Sequence, residues 1–341
     1  MPNPRARARS PKSRARPAIA PEDLVLGIDV GATKVVSALI GNDGAIVRHS
    51  GRHLHANDGP DGVIRTLIRS VEKCLEGTPS LRPRAVGVAV AAQVDPRTGT
   101  VIHAPNLGWR DVPLARRVSV ELGGVPVFVL NDARAATLAE WRFGAGRGAS
   151  DVFCMFLGTG VGGSAVVDGR LLEGSSHALG EVGHITIVVG GRKCHCPNRG
   201  CLEAYVGGWA IAERAQEAVR SDPESGAALV ARAGSERAIT AQTVFQAYRT
   251  GDVLAGRLVR ETERFLADGV VSVVNAFNPN LFVLGGGVVT GMPELVPVVE
   301  AAIRVRCQPP AATARVVAAG FGENAPLVGA GEAARRTAAA R

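Results

Sequence analysis

The sequence predicts an α/β protein built from two related domains. Apolar runs of strand length alternate with helical patterns along the chain. One unit, a strand, a Gly/Thr turn, a second strand and a DG turn, occurs twice, as LGIDVGATKVVSALIGNDG from Leu26 and FLGTGVGGSAVVDG from Phe156. The length, 341 residues, is enough for two ordinary cores.

The first unit opens with an apolar run, Leu24 to Ile28, that ends in Asp29 and the turn Gly31 to Lys34. Val35 to Ile40 is a second strand, Asn42-Asp43-Gly44 a hairpin turn and Ala45 to His49 a third strand. Val63, Leu67, Val71 and Leu75 recur every four residues and predict a helix over 61–76. Ala85 to Val90 reads as a buried strand, Pro96 to Gly99 as a turn, and 112–122 as a helix stopped by Gly123-Gly124. Val125 to Leu130 is a strand that delivers Asn131 and Asp132 at its carboxyl end, where ligands collect in open α/β sheets. Asp132 also suits the N-cap of the helix predicted from Ala133 to Phe143.

In the second unit, Val152 to Leu157 and Ser164 to Val167 are strands around the turn Gly158 to Gly163. Two such hairpins facing each other would offer backbone N–H groups and threonine hydroxyls to one polyphosphate. Short helices fill 202–249, broken near Asp222-Pro223 and Gly234. A long helix follows over 252–277, and Asn278-Pro279-Asn280 stops it. Leu281 to Leu284 is a strand that leads into Gly285 to Val288. A helix over Pro293 to Arg304, a strand over Ala314 to Ala318 and an alanine-rich helix over Glu323 to Ala339 complete the pattern.

Hydrophobic residues make up 46% and aromatics 4% of the chain, so an aliphatic core is expected. The mean hydropathy, +0.13, suits a globular protein. The net charge of +8 is uneven. Residues 1–21 hold Arg5, Arg7, Arg9, Lys12, Arg14 and Arg16 and no acid, and are expected to form a disordered, solvated tail. Such a tail touches nucleic acid only weakly, through phosphates. No apolar run is long enough to span a membrane and no secretory h-region follows the basic start, so a cytoplasmic protein with no membrane partner is expected.

Six cysteines are too few for a disulfide scaffold. Cys74 and Cys154 fall in a predicted helix and strand and read as core; Cys307 has no evident role. Cys194, Cys196 and Cys201 lie within eight residues, and His184 stands ten residues ahead of the first. Three thiolates and one imidazole close a tetrahedral zinc site. His195, between two of the cysteines, and His177 are alternatives to His184. A closed set leaves no open position for substrate, so a structural ion is expected rather than a hydrolytic or redox centre.

Five stretches in this order resemble the ROK family of bacterial sugar kinases and sugar-responsive repressors: the DxGxTK of Asp29 to Lys34, Asn131-Asp132, the LGTGxGG of Leu157 to Gly163, the ExGH of Glu181 to His184 with the cysteine cluster ending at Glu203, and the LGGGV of Leu284 to Val288. The resemblance covers about residues 24–335 and is most like the ATP-dependent glucokinases. It implies an actin-like, hexokinase-like (ribonuclease H-like) pair of α/β domains with a cleft between them. The small domain would comprise 22–131 plus 322–341, and the large one 132–321.

The implied activity is transfer of the ATP γ-phosphate to the 6-hydroxyl of glucose. N-acetylglucosamine, N-acetylmannosamine, mannose and fructose are alternative substrates. Asp132 would be the general base. Asn106, Asn131, Glu181, His184 and Glu203 match sugar-contacting positions. Asp29, Gly31, Thr33 and Lys34 match the first phosphate turn, Thr159 and Gly160 the second, and Gly286 and Gly287 a loop near the adenosine. The implied cofactors are ATP, Mg2+ held by Asp29 through water, and a structural Zn2+ on His184, Cys194, Cys196 and Cys201. A homo-oligomer, dimer or tetramer, is implied as well. Ala92 departs from the pattern, standing where the family often has glycine near the sugar. The family's regulators carry a helix-turn-helix of several tens of residues before the shared body. Here about 21 residues precede the first strand, so a kinase is expected.

Overall fold

A computed structural model describes residues 23–56, 59–77 and 83–339; the basic tail lies outside them. In chain order the first half contains β1 (Val25–Val30), β2 (Lys34–Ile40), β3 (Ile46–His49), β4 (His53–Leu54), α1 (Gly59–Leu75), β5 (Val86–Val90), β6 (Gln93–Asp95), β7 (Thr100–Ala104), β8 (Trp109–Val112), α2 (Leu114–Glu121), β9 (Val127–Asn131) and α3 (Asp132–Phe143). The second half contains β10 (Val152–Leu157), β11 (Val161–Val167), β12 (Arg170–Leu171), α4 (Glu203–Val206), α5 (Gly208–Ser221), α6 (Pro223–Ala233), α7 (Ala241–Arg249), α8 (Val253–Phe277), β13 (Leu281–Gly285), α9 (Gly287–Gly291), α10 (Leu295–Arg306), β14 (Arg315–Ala318) and α11 (Ala325–Ala339).

The repeat seen in the sequence is a repeat of topology. The first sheet runs β3-β2-β1-β5-β9, with β4 also on β2, and the second runs β12-β11-β10-β13-β14. In each, an antiparallel hairpin precedes two parallel strands. Strands covered on both faces read as near-continuous apolar runs, which is why β1, β5, β10 and β13 were legible. Leu26, Ile28 and Val30 of β1 pack with Val63, Leu67 and Val118 from α1 and α2. Val25 faces the other way, in one cluster with Ala136 of α3 and Leu327 and Val328 of α11.

That second face is closed by backbone contact. A Cβ on Gly27 would lie 2.2 Å from the Leu327 carbonyl oxygen, and one on Gly87 1.8 Å from that of Ala330. A Cβ on Gly329 of α11 would meet the Ala135 carbonyl of α3 at 1.6 Å. Glycine at these positions is what lets α11 lie directly on the sheet and on α3. The other end of α3 reaches the second sheet: Trp141 packs with Val152, Cys154 and Val283.

Glu140 of α3 is fully buried. Its carboxyl group accepts from the N–H of Ala145 at 2.9 Å, of Gly320 at 3.0 Å and of Phe321 at 2.8 Å. One side chain therefore fastens both connections between the sheets, that from α3 to β10 and that from β14 to α11.

Helix ends follow local chemistry. Asp222, Thr240 and Asp252 cap α6, α7 and α8 through their side chains. Asn278, with φ of 45°, ends α8 in the left-handed conformation. The three-stranded sheet β6-β7-β8 has no counterpart in the predicted elements. Its strands have only three to five residues, too short for alternation to show. Among the described residues, no helix is long and apolar enough to cross a membrane.

Candidate active site

Register brings the first group of residues together. Val30 of β1 pairs with Val90 of β5, and Val90 with Asn131 of β9, so three parallel strands end at one level. Asp29, the turn at Ala92 and Asp132 share that edge. The helix cap falls to Asn131, whose side-chain oxygen accepts from Arg134 N at 3.2 Å, while its amide donates to the Ala92 carbonyl at 3.3 Å. Asp132 is thereby the first residue of α3, and its carboxyl accepts from Ala133 N at 2.8 Å. Burial pushes this carboxyl above the ordinary carboxylate value, and bonds from Ala133, its own N–H and Asn131 pull it back. Burial, and then the Asp132 charge, lifts Asp29 to about 7; Lys34 opposes this and Glu323 adds to it.

The turn after Asp29 is closed by Gly31 N on the Lys34 carbonyl at 2.9 Å. Lys34 Nζ lies 3.6 Å from Glu323, which also pairs with Arg52 at 2.5 Å. Arg52 and Glu323 are 271 residues apart, so no local pattern reveals the pair.

The second turn mirrors the first. Gly158 N bonds to the Gly160 carbonyl at 2.9 Å, and Thr159 at its tip is exposed. Phe156 pairs with Gly285, so the strand end before Gly286 and Gly287 lies beside it. Gly286 has φ of 92°, and a Cβ there would sit 2.3 Å from the Leu157 carbonyl oxygen; only glycine allows this crossing.

Glu181, His184 and Glu203 gather on the far side of Asp132. Desolvation raises the Glu181 carboxyl; His184 and Arg134 counter it, and the charges of Asp132 and Glu203 reinforce it. Glu181 Oε2 lies 4.0 Å from His184 Nε2. The opposite ring nitrogen, His184 Nδ1, lies 3.7 Å from Cys194 Sγ. Arg134, buried and donating to the Glu173 carbonyl at 2.6 Å, belongs to this surround and was not singled out from sequence. Asn106 is exposed on the turn Pro105–Leu107, which Leu107 anchors in the core.

The donor atoms of His184, Cys194, Cys196 and Cys201 all lie within 4.8 Å of one another. Cys196 and Cys201 sulfurs are 3.6 Å apart. Four donors about 2.3 Å from one ion in a tetrahedron stand about 3.8 Å apart, so the set is sized for a single cation. Desolvation and the neighbouring thiols push Cys201 up to about 12, and a bound cation would draw off its proton. The other histidines face elsewhere: His195 stacks on Trp209 with ring centroids 3.9 Å apart, and His177 pairs with Glu173 at 3.0 Å. Gly200 makes the loop possible, because a Cβ there would lie 1.7 Å from the Val188 carbonyl oxygen. Pro197 lies exposed on the loop's rim.

Comparison with known proteins now decides the relationship. The sequence profile of the ROK family matches residues 25–337. The chain belongs to the ROK family. Within this family it is 33% identical over 318 residues to a glucokinase from Streptomyces coelicolor, a match covering 92% of this chain and 98% of that protein. The crystal structure of a ROK family glucokinase from Streptomyces griseus in complex with glucose and AMPPNP superposes with a TM-score of 0.81 at 34% identity, covering 92% of this chain and 99% of that one. A xylose repressor from Caldicellulosiruptor bescii is 28% identical over 264 residues, and the match covers 65% of its length. The two matched sheets and the interposed helices are thus the α/β fold of the actin-like and hexokinase-like proteins.

Proposed function

We propose that this protein is an ATP-dependent hexose kinase that phosphorylates the 6-hydroxyl of glucose. One observation carries the reading: Asp132, at the carboxyl end of β9, interacts electrostatically with Asp29 beside the first phosphate turn and with Glu181 beside His184 and Glu203. A carboxyl between a phosphate turn and a set of sugar-binding acceptors stands where a phosphoryl acceptor is deprotonated. Similarity to the glucokinases over nearly the whole of both chains supports the same chemistry.

In this mechanism Glu181, His184, Asn131, Asn106 and Glu203 hold the sugar hydroxyls. Asp132 takes the proton of the 6-hydroxyl as that oxygen attacks the γ-phosphorus. Gly31, Thr33 and Lys34 approach the nucleotide phosphates from one side, and Thr159 and Gly160 from the other. Lys34 exchanges Glu323 for phosphate as it does so. Gly286 and Gly287 leave room for the adenosine. Asp29 would hold Mg2+, which when bound would offset charge on the nucleotide phosphates. The two domains, 22–131 plus 322–341 and 132–321, close over both substrates and exclude water; the packing of α11 on the first sheet supports that division.

Zinc fits the thiol–imidazole set by donor chemistry and spacing. His184 would hold the ion through Nδ1, the nitrogen beside Cys194 Sγ, and keep Nε2 for a sugar hydroxyl. Reduced thiols in this set suit the cytoplasm. We further propose a homo-oligomer. The substrate is tested by ADP release from Mg-ATP with glucose, mannose, fructose, N-acetylglucosamine and N-acetylmannosamine offered singly. Fastest turnover on glucose is expected. A preference for an N-acetyl sugar keeps the mechanism and replaces the substrate, and lack of turnover on all five refutes the kinase reading.

A further inference from the structure

We propose that Glu203 positions the nucleotide turn, so that the segment beginning at the metal ligand Cys201 serves both halves of the site. This rests on the kinase reading above. Glu203 Oε2 accepts from Val161 N at 2.7 Å, across 42 residues of sequence. Val161 closes the hairpin around the turn Gly158 to Gly160 by pairing with Leu157. The carboxyl also presses on the turn itself, since a Cβ on Gly160 would lie 2.3 Å from Oε2. Its other oxygen lies 3.4 Å from Trp209 Nε1 and 4.0 Å from Cys194 Sγ.

Two further bonds run from the same segment to the same turn. Gly208 N donates to the Gly158 carbonyl at 2.9 Å, and Trp209 N to the Thr159 carbonyl at 3.2 Å. The Trp209 ring stacks on His195, between two of the cysteines. A turn that binds phosphate through N–H groups must keep its carbonyl dipoles away from the anion. Here the carbonyls of Gly158 and Thr159 are engaged from behind by the start of α5, and Glu203 fixes the closing residue. The side chain that offers Oε1 toward the sugar region thus holds, with Oε2, the loop that meets the phosphates.

A residue that only contacts sugar leaves sugar-free nucleotide affinity unchanged when it is altered. That separates the two roles. ADP binding with Mg2+ is measured by calorimetry on the full chain without sugar, and glucose binding without nucleotide. Glu203→Ala is expected to weaken ADP about tenfold, the scale of one charge-assisted hydrogen bond. Glu203→Asp keeps the charge, withdraws it from Val161 N–H, and is expected to weaken ADP similarly. Glu203→Gln keeps an oxygen for Val161 N–H; ADP affinity is expected to stay within about twofold while glucose affinity falls about tenfold. Unchanged sugar-free ADP affinity in the Ala and Asp variants, with native metal content and melting temperature, overturns the proposal. If neither folds, equal losses of ADP and glucose affinity in Glu203→Gln overturn it instead. A wild-type chain that binds no ADP overturns the kinase reading itself, and this inference with it.

Discussion

Replacing Glu140 tests how the two sheets are joined. Its Oε2 takes the N–H groups of Ala145 and Gly320, and its Oε1 that of Phe321. Alanine takes a fully buried acceptor away from three partly buried N–H groups. A hydrogen bond to a charged group contributes about 1.5–3 kcal/mol, so losing three, even with some rehydration of the donors, is expected to cost Glu140→Ala about 3 kcal/mol or more. Glutamine can keep the two bonds on one oxygen, but its amide then meets the Phe321 N–H. Glu140→Gln is therefore expected to lose one bond, about 1–3 kcal/mol. Urea unfolding, followed by tryptophan fluorescence and far-ultraviolet circular dichroism, measures both. The order wild type, Gln, Ala is the signature of a clasp. A Glu140→Ala protein within about 0.5 kcal/mol of wild type, the range of an ordinary surface change, refutes the reasoning.

Asp132→Asn should lower kcat by about 10²–10⁴-fold while glucose still quenches tryptophan fluorescence at similar concentrations; retained turnover with lost sugar affinity contradicts the base assignment. Asp29, lifted to about 7 from an ordinary 3.8, holds a proton in the free protein that Mg2+ must displace. Mg2+ affinity is expected to fall as pH drops below about 7, and Asp29→Asn should flatten that dependence. The same shift favours folding at low pH: the contribution is full below the unfolded value near 4 and is lost as pH rises through about 7, so pH-stability curves of wild type and Asp29→Asn should diverge across that window. Removing the metal with a chelator should release about one equivalent of zinc, by atomic absorption, and lower the melting temperature and glucose affinity together; loss of metal with neither change contradicts a bracing role.

Much of this was legible because it is local. The two glycine-turn hairpins, the cysteine spacing and the strand delivering Asn131-Asp132 all lie in short stretches whose chemistry reads directly. That Asn131, and not Asp132, caps α3 needed coordinates: the cap bond comes from one residue earlier than expected. His184 prevailed over His195 and His177 because only its ring meets the sulfurs, a fact of folding rather than of spacing. Glu323, Arg134 and Glu140 escaped notice because each acts across long sequence separation. The β6-β7-β8 sheet escaped because its strands are too short to show a period. Predicted element ends differed by one to three residues where a cap or bulge lay beyond the apolar run, as at α10, predicted to begin at Pro293 and observed from Leu295.

The seating of α11 has a consequence for biosynthesis. The first sheet leaves the ribosome early, with Val25, Ala38 and Ile40 awaiting partners that come from residues 325–339. At about 5–20 residues per second, some 15–60 s of translation separate β1 and β2 from the helix that covers them. During that interval the nascent chain carries an open apolar face suited to chaperone capture. A stop codon before residue 325 would make that face permanent, and the damage would appear in the half of the protein synthesised first.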